Sequence, residues 1–289
     1  MNEDILSILE YKMPTFSKGQ KRIATLICES YDKAAFMTAS CLGKEAGVSE
    51  STVVRFAMEL GYEGYPQMQK AMQEMVLNRL TAVQRMGVTM DRIGTQDVVS
   101  TVLHADIEKL RQTCDTVERD AFQGAVRALL NAENIYILGV RSASALASFF
   151  GYYMKFLFQR VHIITNSNSG EVLEQLINVR KGDAVVAFSF PRYSNSTVQG
   201  VAYCRSAGAT VIGITNSMLS PLAEYCDYVL VAKSDMVSLV DSLTAPLSLV
   251  NALIVALISA REDVLRSTFD KLENIWQQHH IYEKKDDAL

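Results

Sequence analysis

The sequence predicts an all-α helix-turn-helix domain followed by an α/β domain with a five-stranded parallel doubly wound sheet. Two short helical segments that join at a glycine near residue 47 indicate the first domain. Five short runs rich in β-branched residues, which alternate with helical segments after residue 134, indicate the second. A chain of 289 residues with 49% hydrophobic residues can bury two cores. We expect the helical domain over 1–80, a connector with linker helices over 81–131, and the α/β domain over 132–289.

The helix-turn-helix pattern lies between Thr38 and Leu60. A first helix is expected over Thr38–Ala46, and Gly47 stands where the chain reverses, because glycine adopts a positive φ at little cost. A second helix is expected from Ser49, acting as its N-cap, to about Leu60. We predict that a glycine turn joins two tightly packed helices here.

The second helix has two contrasting faces. Val53 and the apolar residues three and seven positions later are expected to pack inward. Ser51, Thr52 and Arg55 lie near the start of the helix and are expected to face outward. Arginine can bind guanine through two hydrogen bonds, and hydroxyls can bind base edges or phosphates. This face fits a DNA major groove, but an ordinary helix pair with a solvated polar face explains the spacing equally well.

Other helices are predicted on both sides of the motif. Before it lie a helix over Ile5–Lys12, a break at Met13-Pro14, and a helix over Lys18–Ser30 that Ser17 caps. After it lies a helix over Gln67–Leu80. The connector is expected to hold a polar segment, Thr81–Val98, and two amphipathic helices, Val99–Thr113 and Arg119–Asn131, that join the domains and bring subunits together.

The charge of the chain limits how it could bind nucleic acid. The net charge is −4 and the isoelectric point is about 5.7, which excludes a strongly basic nucleic-acid coat protein. Within 17–70, seven Lys and Arg against six Asp and Glu leave +1. A single module gains little counterion-release energy from this charge. We therefore expect DNA to be bound through a few placed contacts, by a homodimer or homotetramer.

Compartment and membrane association are predicted from cysteines and hydropathy. The five cysteines are dispersed, without metal-binding spacing, and the acidic N-terminus does not resemble a secretory leader, so we expect reduced thiols in the cytoplasm. The apolar run Leu243–Ile258 is short and is interrupted by Pro246, Ser248 and Asn251. It predicts a buried core helix and no membrane segment.

The strands of the second domain are predicted at apolar, β-rich runs. Their ranges are Ile135–Leu138, Val161–Ile164, Ala184–Phe190, Thr210–Thr215 and Tyr228–Ala232. In such sheets, ligands bind at the carboxyl ends of the strands. The segments that follow the first four strands are Gly139–Ser144, Thr165–Gly170, Ser189–Thr197 and Thr215–Ser220, and all are rich in hydroxyl groups.

Two of these segments combine hydroxyls with arginine, as Arg141-Ser142 and as Arg192-Tyr193-Ser194. Serine and threonine commonly cap helices, so capping is one explanation for the hydroxyls. Hydroxyls, helix N-termini and arginines together also bind phosphate or a sugar. The arginines favour a site for a small anionic ligand.

The motifs GVSESTVVRFAMELGYEGY, NIYILGVRSASALA, FSFPRYSNST, GATVIGITNS and SPLAEYCDYVL, in this order, resemble the RpiR family of bacterial transcriptional regulators over nearly the whole chain. The resemblance implies a first domain that binds operator DNA and a second, SIS (sugar isomerase) domain that senses a phosphorylated sugar. It implies no cofactor, no metal and no catalytic residue. The residues expected to bind DNA are Lys44, Ser49, Ser51, Thr52, Arg55 and Tyr62. Those expected to bind the effector are Arg141, Ser142, Ser144, Ser189, Arg192, Ser194 and Thr197.

The chain departs from the family pattern in three places. Pro191-Arg192 replaces the usual Ser-Gly of the second loop, and Ala143 replaces the usual serine of the first. We expect Arg192 or Arg141 to supply charge in their place. Gly43 replaces an alanine in the first motif helix and should reduce its stability.

Two other functions are compatible with parts of the sequence. A SIS domain can be an aldose–ketose isomerase, which needs a base beside the substrate carbonyl. The candidate bases are His104, His162, His279, His280 and Glu171, and no carboxylate–histidine pair stands out among them. The helical domain could also be a protein-binding module.

Overall fold

The computed structural model describes residues 5–79, 97–165, 168–234 and 241–281. The chain divides into two compact units, 1–95 and 96–289. Most of the predicted polar connector, together with Asn166 and Ser167 of the second hydroxyl-rich segment, lies outside the described residues. The limits of the expected domains at residues 80 and 132 remain predictions.

The first unit is helical, as predicted. Its helices are α1 (Ile5–Lys12), α2 (Lys18–Glu29), α3 (Tyr31–Ala34), α4 (Ala39–Ala46), α5 (Glu50–Glu59) and α6 (Tyr65–Arg79). A 3-10 turn over Met13–Thr15 separates α1 from α2. Helix α6 begins two residues before the predicted start, because proline is tolerated in a first helical turn. The single turn α3 was not predicted, since four residues carry no helical periodicity.

One apolar core holds these helices together. Its largest fully buried side chains include Leu9, Ile23, Leu42, Phe56 and Met68, which come from five different helices. Burial of this kind stabilises by roughly 1.5–3 kcal/mol per large side chain. The predicted inward face of α5 is confirmed, and the motif helices are therefore fixed by the helices around them.

Caps and long-range hydrogen bonds complete this unit. Ser17 caps α2 as predicted and forms a capping box with Gln20. The Tyr65 hydroxyl and the Gln69 amide both donate to the Met37 carbonyl, at 2.6 Å each. Burial raises the pKa of Tyr65 to about 12, so its hydroxyl remains a donor at neutral pH. These bonds attach α6 to the segment that leads into α4.

The second unit alternates strands with helices after two leading helices, α7 (Val98–Thr116) and α8 (Arg119–Leu130). The elements that follow are β1 (Ile135–Gly139), α9 (Ser144–Leu157), β2 (Val161–Ile164), α10 (Ser169–Leu176), β3 (Ala184–Phe188), α11 (Asn195–Ser206), β4 (Thr210–Thr215), β5 (Tyr228–Val231), α12 (Thr244–Ala260) and α13 (Glu262–His279). Each predicted strand is confirmed, with ends that differ by at most two residues.

The described strands form one parallel sheet in the order β2-β1-β3-β4-β5. The connections reverse direction between β1 and β3, which makes the carboxyl ends of these two strands the topological switch point. Gly139, the last residue of β1, pairs with Phe188, the last residue of β3. The two arginine-containing segments therefore leave the sheet side by side.

Helices cover both faces of the sheet and complete its cores. Helix α8 contributes Ala125 and Leu129 to the core on one face, so this predicted linker helix packs within the second unit. Helix α12 is buried through Val250, Leu253 and Leu257, which confirms the predicted core helix. Within the described ranges no single helix is long and apolar enough to cross a bilayer, while α12 and α13, bent by 95°, pass that test only as a pair, by length and composition.

Candidate functional site

The turn between α4 and α5 has the predicted left-handed glycine. Gly47 has a φ of 66°, and its amide donates to the carbonyl of Lys44 at 3.2 Å. The amide of Val48 donates to the Gly43 carbonyl at 2.8 Å. A Cβ atom at Gly43 would lie 3.0 Å from the Val48 carbonyl oxygen, so glycine there allows the turn to approach α4 closely. The close approach of the turn to α4 therefore offsets the predicted cost of Gly43 to helix stability.

Three hydroxyls cluster at the start of α5. Ser49 occupies the N-cap position, but its side chain does not cap the helix, and the prediction that it does is wrong. Its Oγ instead lies 2.9 Å from the Ser51 Oγ and 2.8 Å from the Thr52 Oγ1. Hydroxyl–hydroxyl bonds compete with capping because each hydroxyl both donates and accepts. The cluster is a polar surface at the exposed start of the helix.

Arg55 lies one turn further along α5 on the same side. Its Nε donates to the Ser51 carbonyl at 3.3 Å, and its side chain is exposed. Met58, on the same face, is 57% exposed. Lys44 and Tyr62 are not part of this cluster: Lys44 is exposed on α4, and Tyr62 is half-buried against the core. The structure thus brings together four of the six residues predicted to contact DNA.

The segment after β1 folds tightly over the end of that strand. Arg141 begins a 3-10 turn with a φ of 57°, and its carbonyl accepts a hydrogen bond from the Ser144 Oγ at 2.6 Å. Ser142 is exposed. Ala143 is 6% exposed and packs in the sheet core, which explains how alanine replaces serine there. The polar groups that this segment offers a ligand therefore come from Arg141 and Ser142.

Gly139→Ala is expected to disrupt this segment. A Cβ atom there would lie 2.7 Å from the Ala143 carbonyl oxygen and 2.8 Å from the Ala147 Cβ. Overpacking of this kind costs about 1–3 kcal/mol. Urea denaturation should show that loss in the free energy of unfolding. Gly170→Ala is a matched control, since its nearest neighbour would be the Asn168 side-chain oxygen at 3.5 Å. Equal stability of the two variants would contradict the prediction.

The segment after β3 contains a second arginine in the left-handed conformation. Arg192 has a φ of 61° and stands where the family pattern has glycine. Ser189 is 3% exposed, and Ser194 occupies the N-cap position of α11 without a side-chain capping bond. A left-handed residue other than glycine costs roughly 1–2 kcal/mol. Such strain persists where the surroundings impose it, and it is concentrated at functional sites.

Thr197 lies in the first turn of α11 and is 1% exposed. Its Oγ1 is buried and has no hydrogen-bond partner among the described residues. The neighbouring Ser196 Oγ, by contrast, lies 2.8 Å from the Ser169 Oγ at the start of α10. A buried hydroxyl without a partner costs about 1–3 kcal/mol. Thr197 therefore holds a polar group that no other described residue satisfies.

Comparison with known sequences gives a separate match for each of the two compact units. The profile of the helix-turn-helix domain of the rpiR family matches residues 3–78, and the profile of the SIS domain matches residues 128–256. The chain belongs to the RpiR family. An uncharacterised HTH-type transcriptional regulator of Clostridium perfringens is 25% identical over 78% of this chain and 80% of its own length.

Two solved structures share the fold. The sugar isomerase domain of an RpiR transcription factor from Sphaerobacter thermophilus has a TM-score of 0.59 and 27% identity, over 62% of this chain and 99% of its own. The NanR protein of Vibrio vulnificus, solved as a complex with ManNAc-6P, has a TM-score of 0.59 and 20% identity, over 94% of this chain and 98% of its own. The chain is an RpiR-type regulator with a helix-turn-helix domain and a SIS domain.

A third segment completes the site of this RpiR-family chain. The Tyr193 hydroxyl donates to the Asn216 Oδ1 at 2.8 Å, which joins the segment after β3 to the segment after β4. Asn216 is 3% exposed. Neither residue was predicted as part of the site, because a contact between two loops leaves no periodic signal in the sequence. The one indication of this contact in the sequence was that Asn216 directly follows a predicted strand.

Two of the candidate bases, His162 and His104, lie on elements outside the segments that follow β1 and β3. His162 is the second residue of β2 and stacks on Tyr136 at 4.6 Å, and the His104 Nδ1 lies 2.7 Å from the Ser100 carbonyl on α7. Burial raises the pKa of Cys204 and of Cys226 to about 12, which keeps both as thiols. The described parts of the chain contain no group of three His, Cys, Asp or Glu side chains that could hold a metal.

Proposed function

We propose that this RpiR-family regulator binds operator DNA through α5 and senses a sugar phosphate or related anionic sugar at the carboxyl ends of β1 and β3. In this proposal it acts as a homo-oligomer in the cytoplasm. The Thr197 hydroxyl is the observation that carries the effector site, because it is buried in the first turn of α11 beside the strained Arg192 segment and has no partner within the described ranges. The exposed cluster of Ser49, Ser51, Thr52 and Arg55 supports the DNA-binding face.

The polar groups at the switch point suit a ligand that carries an anionic group on a hydroxyl-rich molecule. Amides at a helix N-terminus favour a phosphate, and arginine binds it through two hydrogen bonds. The hydroxyls of Ser142, Ser189 and Ser194 can bind either phosphate or sugar. NanR, which has the same fold, was solved with ManNAc-6P, and this supports a phosphorylated sugar as the chemical class.

Two binding measurements test this proposal. Purified protein should retain DNA from its own gene neighbourhood, and the retention should weaken steeply as salt rises. Thermal denaturation against a panel of sugar phosphates and sugar acids should identify an effector, because a ligand that binds only the folded state raises the melting temperature. A protein that retains no DNA at low salt would contradict the first half of the proposal. A panel without any shift would contradict the second.

Hydrogen bonds lead from the effector site to α7, the first helix of the second unit. Tyr193 donates to Asn216, and the amide of Ala232 donates to the Thr215 carbonyl at 2.8 Å. The next amide, of Lys233, donates to the Thr113 Oγ1 on α7 at 2.9 Å. We propose that effector binding acts on α7 through these contacts, and through α7 on the chain that joins it to the first unit.

Asp106 attaches α7 to α12 at the same edge of the sheet. Its carboxylate accepts from the Ser242 Oγ at 2.6 Å and from the Thr244 Oγ1 at 2.9 Å. Charge-assisted hydrogen bonds of this kind contribute about 1.5–3 kcal/mol each. A displacement of Ser242 and Thr244 would therefore move α7 with it. In this way a change at the switch point would alter the spacing of two DNA-binding units. The half-sites that two such units contact on DNA are about 34–36 Å apart.

Tyr193→Phe is expected to weaken the effect of the effector on DNA binding without removing effector binding. It deletes the hydroxyl that contacts Asn216 and keeps the ring. Substitutions along such networks change coupling by about 0.5–2 kcal/mol, or roughly 2-fold to 30-fold. The ratio of operator affinities with and without effector, measured by fluorescence anisotropy, should fall by such a factor.

Tyr203→Phe is the matched control for this prediction. It deletes a hydroxyl on α11 that donates to the Ile177 carbonyl at 3.2 Å, away from the proposed contacts. The control should keep the wild-type ratio of affinities. If Tyr193→Phe keeps it as well, the hydroxyl carries no coupling and the proposed route fails.

A further inference from the structure

Three exposed cations on α2 have no role in the DNA contacts described so far. Lys18, Lys21 and Arg22 lie in the first two turns of this helix, and no acidic residue occupies its first turn. Cations near a helix N-terminus oppose the helix dipole and cost about 0.3–1 kcal/mol each. The three residues therefore do not serve the stability of α2 itself. Proteins commonly depart from the rules of local helix stability at functional sites. The three cations therefore indicate a function for this surface.

Helix α2 places these cations next to the start of α5. A Cβ atom at Gly19 would lie 3.5 Å from the Val48 Cγ1 and 3.8 Å from the Thr52 Cγ2, so the first turn of α2 contacts the start of the proposed recognition helix. The Arg22 guanidinium donates to the Gly47 carbonyl at 3.1 Å. Arginine has five N–H donors, and this bond uses one of them. The α2 cations and the hydroxyl cluster thus belong to one continuous surface.

An open groove of about 640 Å³ runs along this part of α2, between α2 and α4. Its wall includes the three cations and also Glu29 and Glu45. Glu29 is the last residue of α2, roughly 16 Å along the helix axis from Lys18. Two carboxylates disfavour a compact anion that fills the groove. An extended polyanion that crosses the first two turns of α2 would contact the three cations, all of which lie in the half of the helix that is remote from Glu29.

We propose that Lys18, Lys21 and Arg22 bind the phosphate backbone of the operator strand that flanks the major groove read by α5. This inference rests on the proposed DNA-binding function. It also accounts for how a module with so little net charge holds DNA, because the positive charge is concentrated on one side of the recognition helix. Contacts to phosphates carry affinity and register, whereas contacts to base edges carry sequence preference.

The test measures how operator binding depends on salt for a full-length double variant that carries both Lys18→Gln and Lys21→Gln. Each phosphate contact contributes about 0.9 to the slope of log affinity against log salt. The slope should therefore fall by about 1.8 for each bound subunit. The deficit of the variant should therefore shrink roughly tenfold for each bound subunit between 50 and 200 mM salt, or roughly 100-fold for a dimer. Its preference for operator over a scrambled duplex should be unchanged. Arg22 is left intact because it also contacts the turn at Gly47.

The matched control carries Lys33→Gln and Lys70→Gln, which remove two exposed lysines of the same unit that do not line the groove. The control should keep the wild-type slope, and equal melting temperatures would show that each variant is folded. If the slope of the α2 variant matches that of the control, the surface does not contact DNA and the inference is wrong. Failure of the proposed function would differ, because the wild-type chain would then retain no operator DNA at low salt and neither variant would have a slope to compare.

Discussion

Arg55→Ala is expected to lower operator affinity more than any other single substitution in the first unit. A lost base contact costs about 1–3 kcal/mol. A dimer on two half-sites loses this twice, or about 2–6 kcal/mol, which is roughly 30-fold to more than 10⁴-fold in affinity. Fluorescence anisotropy on a labelled operator measures the loss. The melting-temperature rise caused by effector should remain, since the effector segments lie in the other compact unit.

Arg55→Lys separates base recognition from charge. Lysine keeps the positive charge but cannot form the planar two-bond contact with guanine. We therefore expect Arg55→Lys to bind scrambled duplex as well as wild type and to lose the preference for operator. If Arg55→Ala kept full operator affinity, α5 would not be the reading helix.

Thr197→Val is expected to stabilise the free protein and to remove its response to effector. Valine has nearly the shape of threonine and replaces the unpartnered hydroxyl by a methyl group. Removing a buried polar group that lacks a partner should raise the free energy of unfolding by about 1–3 kcal/mol. The melting temperature should then rise by about 2–4 °C per kcal/mol. The additional rise caused by effector should disappear.

Ser196→Ala is the control for Thr197→Val, because its hydroxyl has a partner in Ser169. Deleting that bond should lower the free energy of unfolding by about 1 kcal/mol. The two neighbouring substitutions are thus predicted to have opposite signs. A loss of stability in Thr197→Val would mean that the hydroxyl has a partner in the free protein. An unchanged effector response would place Thr197 outside the site.

The sequence predicted the strands of the second unit and the longer helices of the first unit because each of them depends on local periodicity. Five apolar runs became five parallel strands, and the spacing of Val53, Phe56 and Leu60 identified the buried face of α5. The positions of the two arginine-containing segments followed from the strand order, since parallel strands end at one edge of the sheet. Periodicity and topology were sufficient for these conclusions.

Individual side-chain contacts could not be predicted in the same way. The hydroxyl of Ser49 has a local choice between capping and bonding to neighbouring hydroxyls, and the energies of the two are similar. The bond between Tyr193 and Asn216 depends on how two loops meet. The isolation of the Thr197 hydroxyl depends on every atom around it. The pattern of residue types does not contain this information.

The strand order also has a consequence for biogenesis. Helices α4 and α5, which make the most extensive contact among α1 to α6, are neighbours in the sequence, and local contacts favour rapid folding. Ile135 of β1 must pair with Ala184 of β3, so the sheet cannot close until the chain beyond β3 is available. Non-local parallel pairing is slow. During synthesis from the N-terminus, the proposed DNA-binding unit is therefore expected to fold before its sensor, and a newly made chain passes through a stage at which it has a reading helix but no means of being controlled.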